Sequence, residues 1–209
     1  GYADVANGEF VHELQAHMAQ MISAERTRGL LLRLCALLHD IGKPGTRSVE
    51  ASGRIRFLEH EPRGAEMCDG LMRRLRFSKD EIGLAMRTVA HHLRPALLAS
   101  ESHLSNRAVY RFFRDAGDAG VDVCVLMLAD QRARANEDQD AELRGVNATL
   151  LDRYYRTPVA VIAPPPLVDG RALMKELNLN PGPQIGELLE AIREAQAEGE
   201  VRTREEALA

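Results

Sequence analysis

Apolar side chains recur at helical spacing through most of the chain. Ser78 followed by Glu81, and Thr203 followed by Glu206, have the spacing of a capping box and predict two helix starts. Residues 46–58 alternate weakly and predict a loop or a short hairpin. The pattern predicts an all-α fold, with its main helices over 8–24, 27–41, 61–76, 105–116, 121–134 and about 138–155.

The pattern changes character near residue 157. Pro164, Pro165 and Pro166 interrupt residues 159–168, and because proline removes a helix hydrogen bond, this stretch predicts an extended linker. Short helices are predicted beyond it. We therefore expect a helical main domain over 1–157, and over 158–209 the extended linker plus a small C-terminal helical appendage.

Composition narrows the class of protein. The 209 residues are 45% hydrophobic and 28% charged, with a net charge of −4, as in ordinary globular domains. The chain as a whole is therefore not a polycation that binds nucleic acid, although a local basic face is compatible with these numbers. There is no Cys-x-x-Cys pair, no apolar run near the roughly 20 residues of a membrane span and no signal peptide pattern. We expect no membrane partner and a cytoplasmic location.

One stretch suggests chemistry. The run from Leu34 to Pro44 is an apolar helix that ends in the adjacent pair His39 and Asp40. Burial of such a helix draws its last turn inward, and an unpaired buried charge costs several kcal/mol or more. A metal ion is the simplest partner for both side chains. Gly42 suits the left-handed position after a helix, and Pro44 cannot continue one, so the helix is predicted to stop here.

Other candidate ligands also lie at or near predicted helix ends, where they can converge on one cleft. Neutral imidazoles with carboxylates suit iron, manganese, nickel or zinc better than calcium. Asp130 ends an apolar run. On the first predicted helix His12 and His17 lie within two turns of each other, so His17 competes with His12 as a candidate ligand. The further candidates are His12, His60, His91, His92 and Asp130.

His12, the pair His39 and Asp40, and Asp130 resemble the H…HD…D signature of the HD-domain metal-dependent phosphohydrolases, which are all-α. The resemblance implies a metal bound by these four residues, with Asp40 also catalytic. In di-metal members the HD aspartate bridges two ions, and the second ion would here be held by His60, His91 and His92. One or two divalent ions are expected, with iron, manganese, nickel and magnesium as candidates.

Further motifs resemble the HD region of bacterial tRNA CCA-adding enzymes and related poly(A) polymerases. The nucleotidyltransferase head of those enzymes, with its Gly-Gly loop and paired aspartates, has no counterpart here. The chain is therefore not expected to add nucleotides by itself, and we expect a fragment or a stand-alone relative. The matching segments are 43–47, 57–65, 75–78, 92–95, 104–108 and 181–189.

The expected function is a phosphatase or phosphodiesterase acting on phosphomonoesters or 2′,3′-cyclic nucleotides, including those at RNA ends. Lys43, Arg47 and Arg94 lie beside the motifs and are candidate phosphate contacts. The alternative is a tRNA-binding HD region without nucleotidyl transfer, in which Arg107 and Arg111 contact RNA. Nothing in the pattern predicts an oligomeric state.

Overall fold

The computed structural model describes residues 1–100, 103–134, 137–157 and 159–209, and most of their regular structure is helical. This confirms the predicted all-α class. In these ranges no helix is both long and apolar enough to cross a membrane. The helices are α1 (Val11–Ala19), α2 (Arg28–Leu38), α3 (Lys43–Thr46), α4 (His60–Arg74), α5 (Lys79–His91), α6 (Arg94–Ala99), α7 (Asn106–Ala116), α8 (Gly120–Ala133), α9 (Glu137–Arg156), α10 (Val159–Ile162), α11 (Gly170–Glu176), α12 (Pro183–Glu198) and α13 (Arg204–Leu208).

A two-stranded antiparallel hairpin separates α3 from α4, as the alternation in 46–58 predicted. Its strands are β1 (Ser48–Val49) and β2 (Ile55–Arg56). Gly53 lies in the turn with φ +82°, a conformation that glycine adopts without steric cost. The backbone N–H of Glu50 donates to the Arg54 carbonyl at 2.9 Å and closes the hairpin.

Packing divides the described residues into two units that do not follow chain order. The first consists of Gly1–Ser102 and Asp115–Leu151, and the second of His103–Arg114 and Asp152–Ala209. The expected division into functional domains over 1–157 and 158–209 stays a prediction. Pro158, where the expected linker begins, lies outside the described residues.

The expectation of an extended linker is wrong for Val159–Ile162, which form α10. The three prolines come after this turn, at 164–166, so they end the helix without preventing it. In the second unit, α10 and α11 pack against α12. The predicted capping box at Thr203 and Glu206 is confirmed at the start of α13.

The core of the first unit lies among α2, α4, α5 and α8. On α2 the buried side chains fall at helical spacing, and Thr27 caps the first turn by accepting a hydrogen bond from the Leu30 N–H at 3.3 Å. This core brings the end of α2, the start of α4 and the end of α5 to one region. Its members are Leu31, Cys35, Leu38, Ala65, Cys68, Met72, Ile82, Leu84, Ala85, Val89, Ala119 and Leu126.

The start of α5 is fixed by a buried carboxylate. Ser78 and Glu81 form the predicted capping box, and Arg26 donates to both oxygens of Glu81, at 2.5 and 3.1 Å. Chiefly because of the Arg26 hydrogen bonds, which outweigh the cost of burial, the pKa of Glu81 falls from 4.5 to about 2. The ion pair therefore joins the segment before α2 to the helix that carries the candidate ligands at its end.

We predict that Glu81→Gln lowers the free energy of unfolding at neutral pH by roughly 3 kcal/mol, the equivalent of the pKa shift. Because the folded pKa lies below the unfolded one, this contribution is complete above pH 4.5 and is lost as the pH falls towards 2. Urea denaturation of both proteins at pH 7, 4 and 3 tests this. Asp80→Asn, at an exposed neighbour, is the control. A difference that does not shrink with acid contradicts the assignment.

Candidate metal centre

His39 and Asp40 follow α2 directly and lie where its buried face ends. Leu38 is buried in the core, and His39 is the C-cap residue of the helix. The Nδ1–H of His39 donates to the Ala36 carbonyl at 2.8 Å. This hydrogen bond closes the helix end and turns Nε2 away from the backbone.

Two further histidines are anchored in the same way. The Nδ1 of His60, at the start of α4, bonds the Phe57 carbonyl at 2.8 Å, and that of His92, just after α5, bonds the Val89 carbonyl at 2.7 Å. A ring that donates through Nδ1 keeps its lone pair on Nε2, the arrangement usual for a metal-binding imidazole. The sequence of each helix end therefore prepares one nitrogen acceptor.

Asp40 lies at the centre of these rings. Its Oδ2 is 3.3 Å from the Nε2 of His39, and its Oδ1 is 3.4 Å from that of His60 and 3.9 Å from that of His92. The ring centroid of His92 lies 5.1 Å from that of His39 and 5.3 Å from that of His60. The two oxygens of one carboxylate thus face three imidazoles from three elements.

Four atoms of this cluster are buried without a hydrogen-bond partner among the residues that the structure describes: the three Nε2 atoms and Asp40 Oδ1. Unpaired acceptors in the interior are costly, and a cation bound among them removes that cost. One ligand atom each from His39, Asp40 and His92 lie within 4.8 Å of one another. Nitrogen and carboxylate donors at this spacing fit a divalent transition metal.

A second carboxylate and two cations border the cluster. Asp130, in the last turn of α8 and 12% exposed, places Oδ1 3.5 Å from His39 Nε2, while Arg134 contacts its Oδ2 at 2.5 Å. Lys43 donates to Asp40 Oδ2 at 2.6 Å. Burial alone would raise the pKa of Asp40, but neighbouring groups, with the Lys43 hydrogen bond first among them, lower it overall. Asp40 is therefore held as a carboxylate.

Two expected ligands lie outside this cluster. His12 is exposed on α1 and, unlike His60 and Asp130, has no ion pair with a member of the cluster among the described residues. His91 precedes His92 by one residue and therefore points about 100° away around the helix. Burial and the neighbouring Arg94 lower the pKa of His91. Their ligand roles stay predictions, without support from this geometry.

The expected phosphate contacts differ in their surroundings. Lys43 is at the cluster, whereas Arg47 is exposed after α3 and Arg94 forms an ion pair with Asp115 at 3.1 Å.

In the second unit, the expected RNA contacts are held by acidic residues of α12: Arg111 bonds both oxygens of Glu194 at 2.6 Å. The backbone N–H of Arg107 donates to Glu198 at 2.8 Å.

Two sets of ion-pair contacts made by carboxylates of α8 were not predicted from the sequence. Arg134 lies one helical turn after Asp130, and that i,i+4 spacing is a signal that could have found it. Asp122 is buried and contacts both His17 Nε2, at 3.3 Å, and Arg28 Nη1, at 2.5 Å. This network joins α1, α2 and α8, and it explains why His17 is structural here.

Gly42 occupies a position where a side chain has no room. Its φ is −75°, so the left-handed conformation expected from the sequence is wrong. A Cβ at Gly42 would lie 2.2 Å from the carbonyl oxygen of His60 and 2.8 Å from the N of Gly64. Glycine is needed because the backbone after α2 packs directly on the first turn of α4, which sets the position of His60.

Known proteins resemble this chain over most of its length. A family model described as tRNA nucleotidyltransferase domain 2, putative, matches residues 64–209. The chain is 37% identical over 178 residues to a CC-adding tRNA nucleotidyltransferase of Thermus thermophilus, covering 85% of this chain and 38% of the relative. It is 33% identical over 202 residues to an A-adding tRNA nucleotidyltransferase of Deinococcus radiodurans, covering 96% and 45%. The chain thus spans less than half the length of these relatives.

We predict that Gly42→Ala destabilises the fold by about 1–3 kcal/mol, the usual cost of overpacking, and lowers the metal-to-chain ratio by displacing His60. Gly45→Ala is the matched control on α3, because a Cβ there meets nothing within 4 Å. Thermal unfolding and elemental analysis of both variants measure the two effects. Wild-type stability and metal content in Gly42→Ala would contradict the role given to this contact.

Proposed function

The chain belongs to the tRNA nucleotidyltransferase domain 2 family, and we propose that it carries a divalent-metal site that hydrolyses nucleotide phosphoesters. The resemblance to tRNA nucleotidyltransferases is confirmed at the family level, whereas the HD-type site and its activity are proposals. The observation that carries them is the convergence of buried, unpartnered acceptor atoms of His39, Asp40, His60 and His92.

His39, Asp40 and Asp130 are the proposed ligands of a first ion, and His60 and His92 of a second. Asp40 suits a shared position because its Oδ2 faces His39 and its Oδ1 faces the other two rings. Iron, manganese and nickel accept this mixed nitrogen and oxygen set, and magnesium is the least suited of the candidates. A metal-to-chain ratio near two would indicate both ions, and a ratio near one would indicate a single ion.

When bound, such an ion supplies a Lewis acid for a phosphoryl oxygen and lowers the pKa of a coordinated water. The chain's own side chains prepare the site for that chemistry. The three Nδ1 hydrogen bonds orient the rings, and Lys43 keeps Asp40 ionised. Lys43 and Arg134 also line a cavity beside the cluster, where they can bind the phosphate of a substrate.

The proposed substrates are phosphomonoesters or 2′,3′-cyclic phosphodiesters of nucleotides, including those at RNA ends. The cavity has a volume of about 470 Å³ and is also lined by His60, Arg54 and Arg56. Basic side chains next to candidate metal ligands favour an anionic substrate, since both can neutralise phosphate charge. The cytoplasmic location expected from the sequence stays a prediction.

We predict that Asp40→Ala abolishes metal-dependent phosphate release from nucleotide substrates and lowers the metal-to-chain ratio, because it removes a carboxylate that lies within 3.9 Å of the Nε2 atoms of all three rings. Phosphate release with added manganese, together with elemental analysis and circular dichroism, measures activity, metal content and folding. Asp80→Asn, which changes an exposed carboxylate at the start of α5, is the control. Unchanged turnover in a folded Asp40→Ala protein would contradict the proposed function.

A second candidate function is tRNA binding in the service of a nucleotidyltransferase. It is favoured by the relatives, which are CC-adding and A-adding tRNA nucleotidyltransferases. Arg107 and Arg111 were the expected contacts, and both are paired with α12 glutamates, so RNA phosphates would have to displace carboxylates there. The two functions are compatible, because the metal cluster and these arginines belong to different packing units.

Under the second function, we predict that tRNA binding weakens steeply as salt rises. Glu194→Ala, which frees the Arg111 guanidinium, should tighten that binding, and Arg111→Ala should lower the salt slope by about one. Fluorescence titration with tRNA at several potassium chloride concentrations measures both effects. Absence of salt-sensitive binding by the wild type would exclude this function, and an unaffected slope would exclude Arg111 as a contact.

A further inference from the structure

The cavity beside the metal cluster extends well past it, along the hairpin. Three of its lining residues, Lys43, His60 and Arg134, belong to the candidate centre or touch its carboxylates. The others come from the hairpin, the segment that follows it, the first turn of α4 and the turn before α6. Its volume of about 470 Å³ falls in the range of small-molecule sites. These other lining residues include Arg54, Ile55, Arg56 and Leu58, together with the acidic Glu59 and Glu61.

The cations of this cavity are not equivalent. Lys43 is held by Asp40, Arg134 by Asp130, and Arg56 by Glu50 at 3.5 Å. Arg54 is exposed, and its guanidinium makes no hydrogen bond or ion pair with any described residue. A cation that lines a cavity next to a candidate metal site without an internal partner is available to a ligand anion.

The hairpin wall also presents apolar surface that nothing among the described residues covers. Ile55 is 47% exposed and Leu58 is 62% exposed, although both line the cavity. An inorganic anion or a small phosphomonoester would leave these side chains in water. A flat, partly apolar group such as a nucleobase would cover them.

The hairpin can hold Arg54 in place. Its carbonyl accepts from the Glu50 N–H at 2.9 Å, and its N–H approaches Ser52 Oγ at 3.4 Å. The next residue, Ile55, pairs with Val49 in the two-stranded sheet. The hairpin therefore fixes the backbone of two consecutive residues that both line the cavity, one of them a free cation and the other apolar.

We propose that this cavity binds a nucleotide that carries a second phosphate, with Arg54 on the non-reacting phosphate and Ile55 and Leu58 against the base. The inference rests on the proposed function, because the reacting phosphate is assigned to the metal cluster. Such a substrate is a nucleoside bisphosphate or the end of an oligonucleotide, both of which carry an additional phosphate beside the one removed.

Isothermal titration with EDTA present tests the subsite without turnover. Adenosine 3′,5′-bisphosphate and adenosine 5′-monophosphate serve as probes at about 0.15 M salt, where long-range attraction is screened. We expect the wild type to bind the bisphosphate about tenfold more tightly, the equivalent of one charged hydrogen-bonded contact. Arg54→Ala should reduce that preference to about twofold or less.

Arg33→Ala is the matched control, because it removes one exposed arginine from α2, outside the cavity. It should retain the wild-type preference, and Arg54→Lys should retain part of it. A wild type that binds both probes equally, or an Arg54→Ala protein that still prefers the bisphosphate, overturns the inference. Failure of the proposed function is a separate result: a wild type that releases no phosphate from any nucleotide with added metal.

Discussion

Three imidazole rings donate Nδ1–H to backbone carbonyls three residues earlier, and the candidate site depends on these bonds. Each bond fixes a ring on its helix end and leaves Nε2 as an acceptor aimed at Asp40. Without a cation, acceptors face acceptors in a buried space, which the fold tolerates only at a cost. Apolar neighbours cannot satisfy these buried acceptors. The acceptors also cannot satisfy one another by hydrogen bonds, because none of them is a donor.

The hydrophobic core converts this local chemistry into a site. The apolar faces of α2, α4, α5 and α8 pack together, so the ends that carry polar residues meet at one side of the core. Gly42 contributes by allowing the backbone after α2 to approach the carbonyl of His60. Because the candidate ligands lie at the ends of packed helices, the distances between them are fixed before a metal binds. A preformed ligand set of this kind favours metal binding.

Much of this arrangement could be predicted because polar residues that end apolar helices are carried inward. That reasoning, together with the placing of His60 at a helix start, selected His39, Asp40, His60 and Asp130, which lie close together, while their roles as ligands stay predictions. It could not choose between His91 and His92, because adjacent residues on a helix point about 100° apart and only one of the two rings can face the cluster. It also could not foresee the pairing of Arg111 with Glu194, because partners 83 residues apart leave no local signal in the sequence.

The surroundings of Asp40 are more typical of a catalytic metal site than of a structural one. A structural metal is usually enclosed by four protein ligands, whereas a catalytic metal keeps a position open for water or substrate. The Asp40 side chain is 34% exposed, and its Oδ2 is shared with Lys43, a cation that a structural site would not need. Lys43 and Arg134 contact Asp40 and Asp130 and also line the adjacent cavity, so basic side chains border the cluster on the side of that cavity. An anionic ligand in that cavity would lie beside both cations and beside one candidate metal ligand, His60.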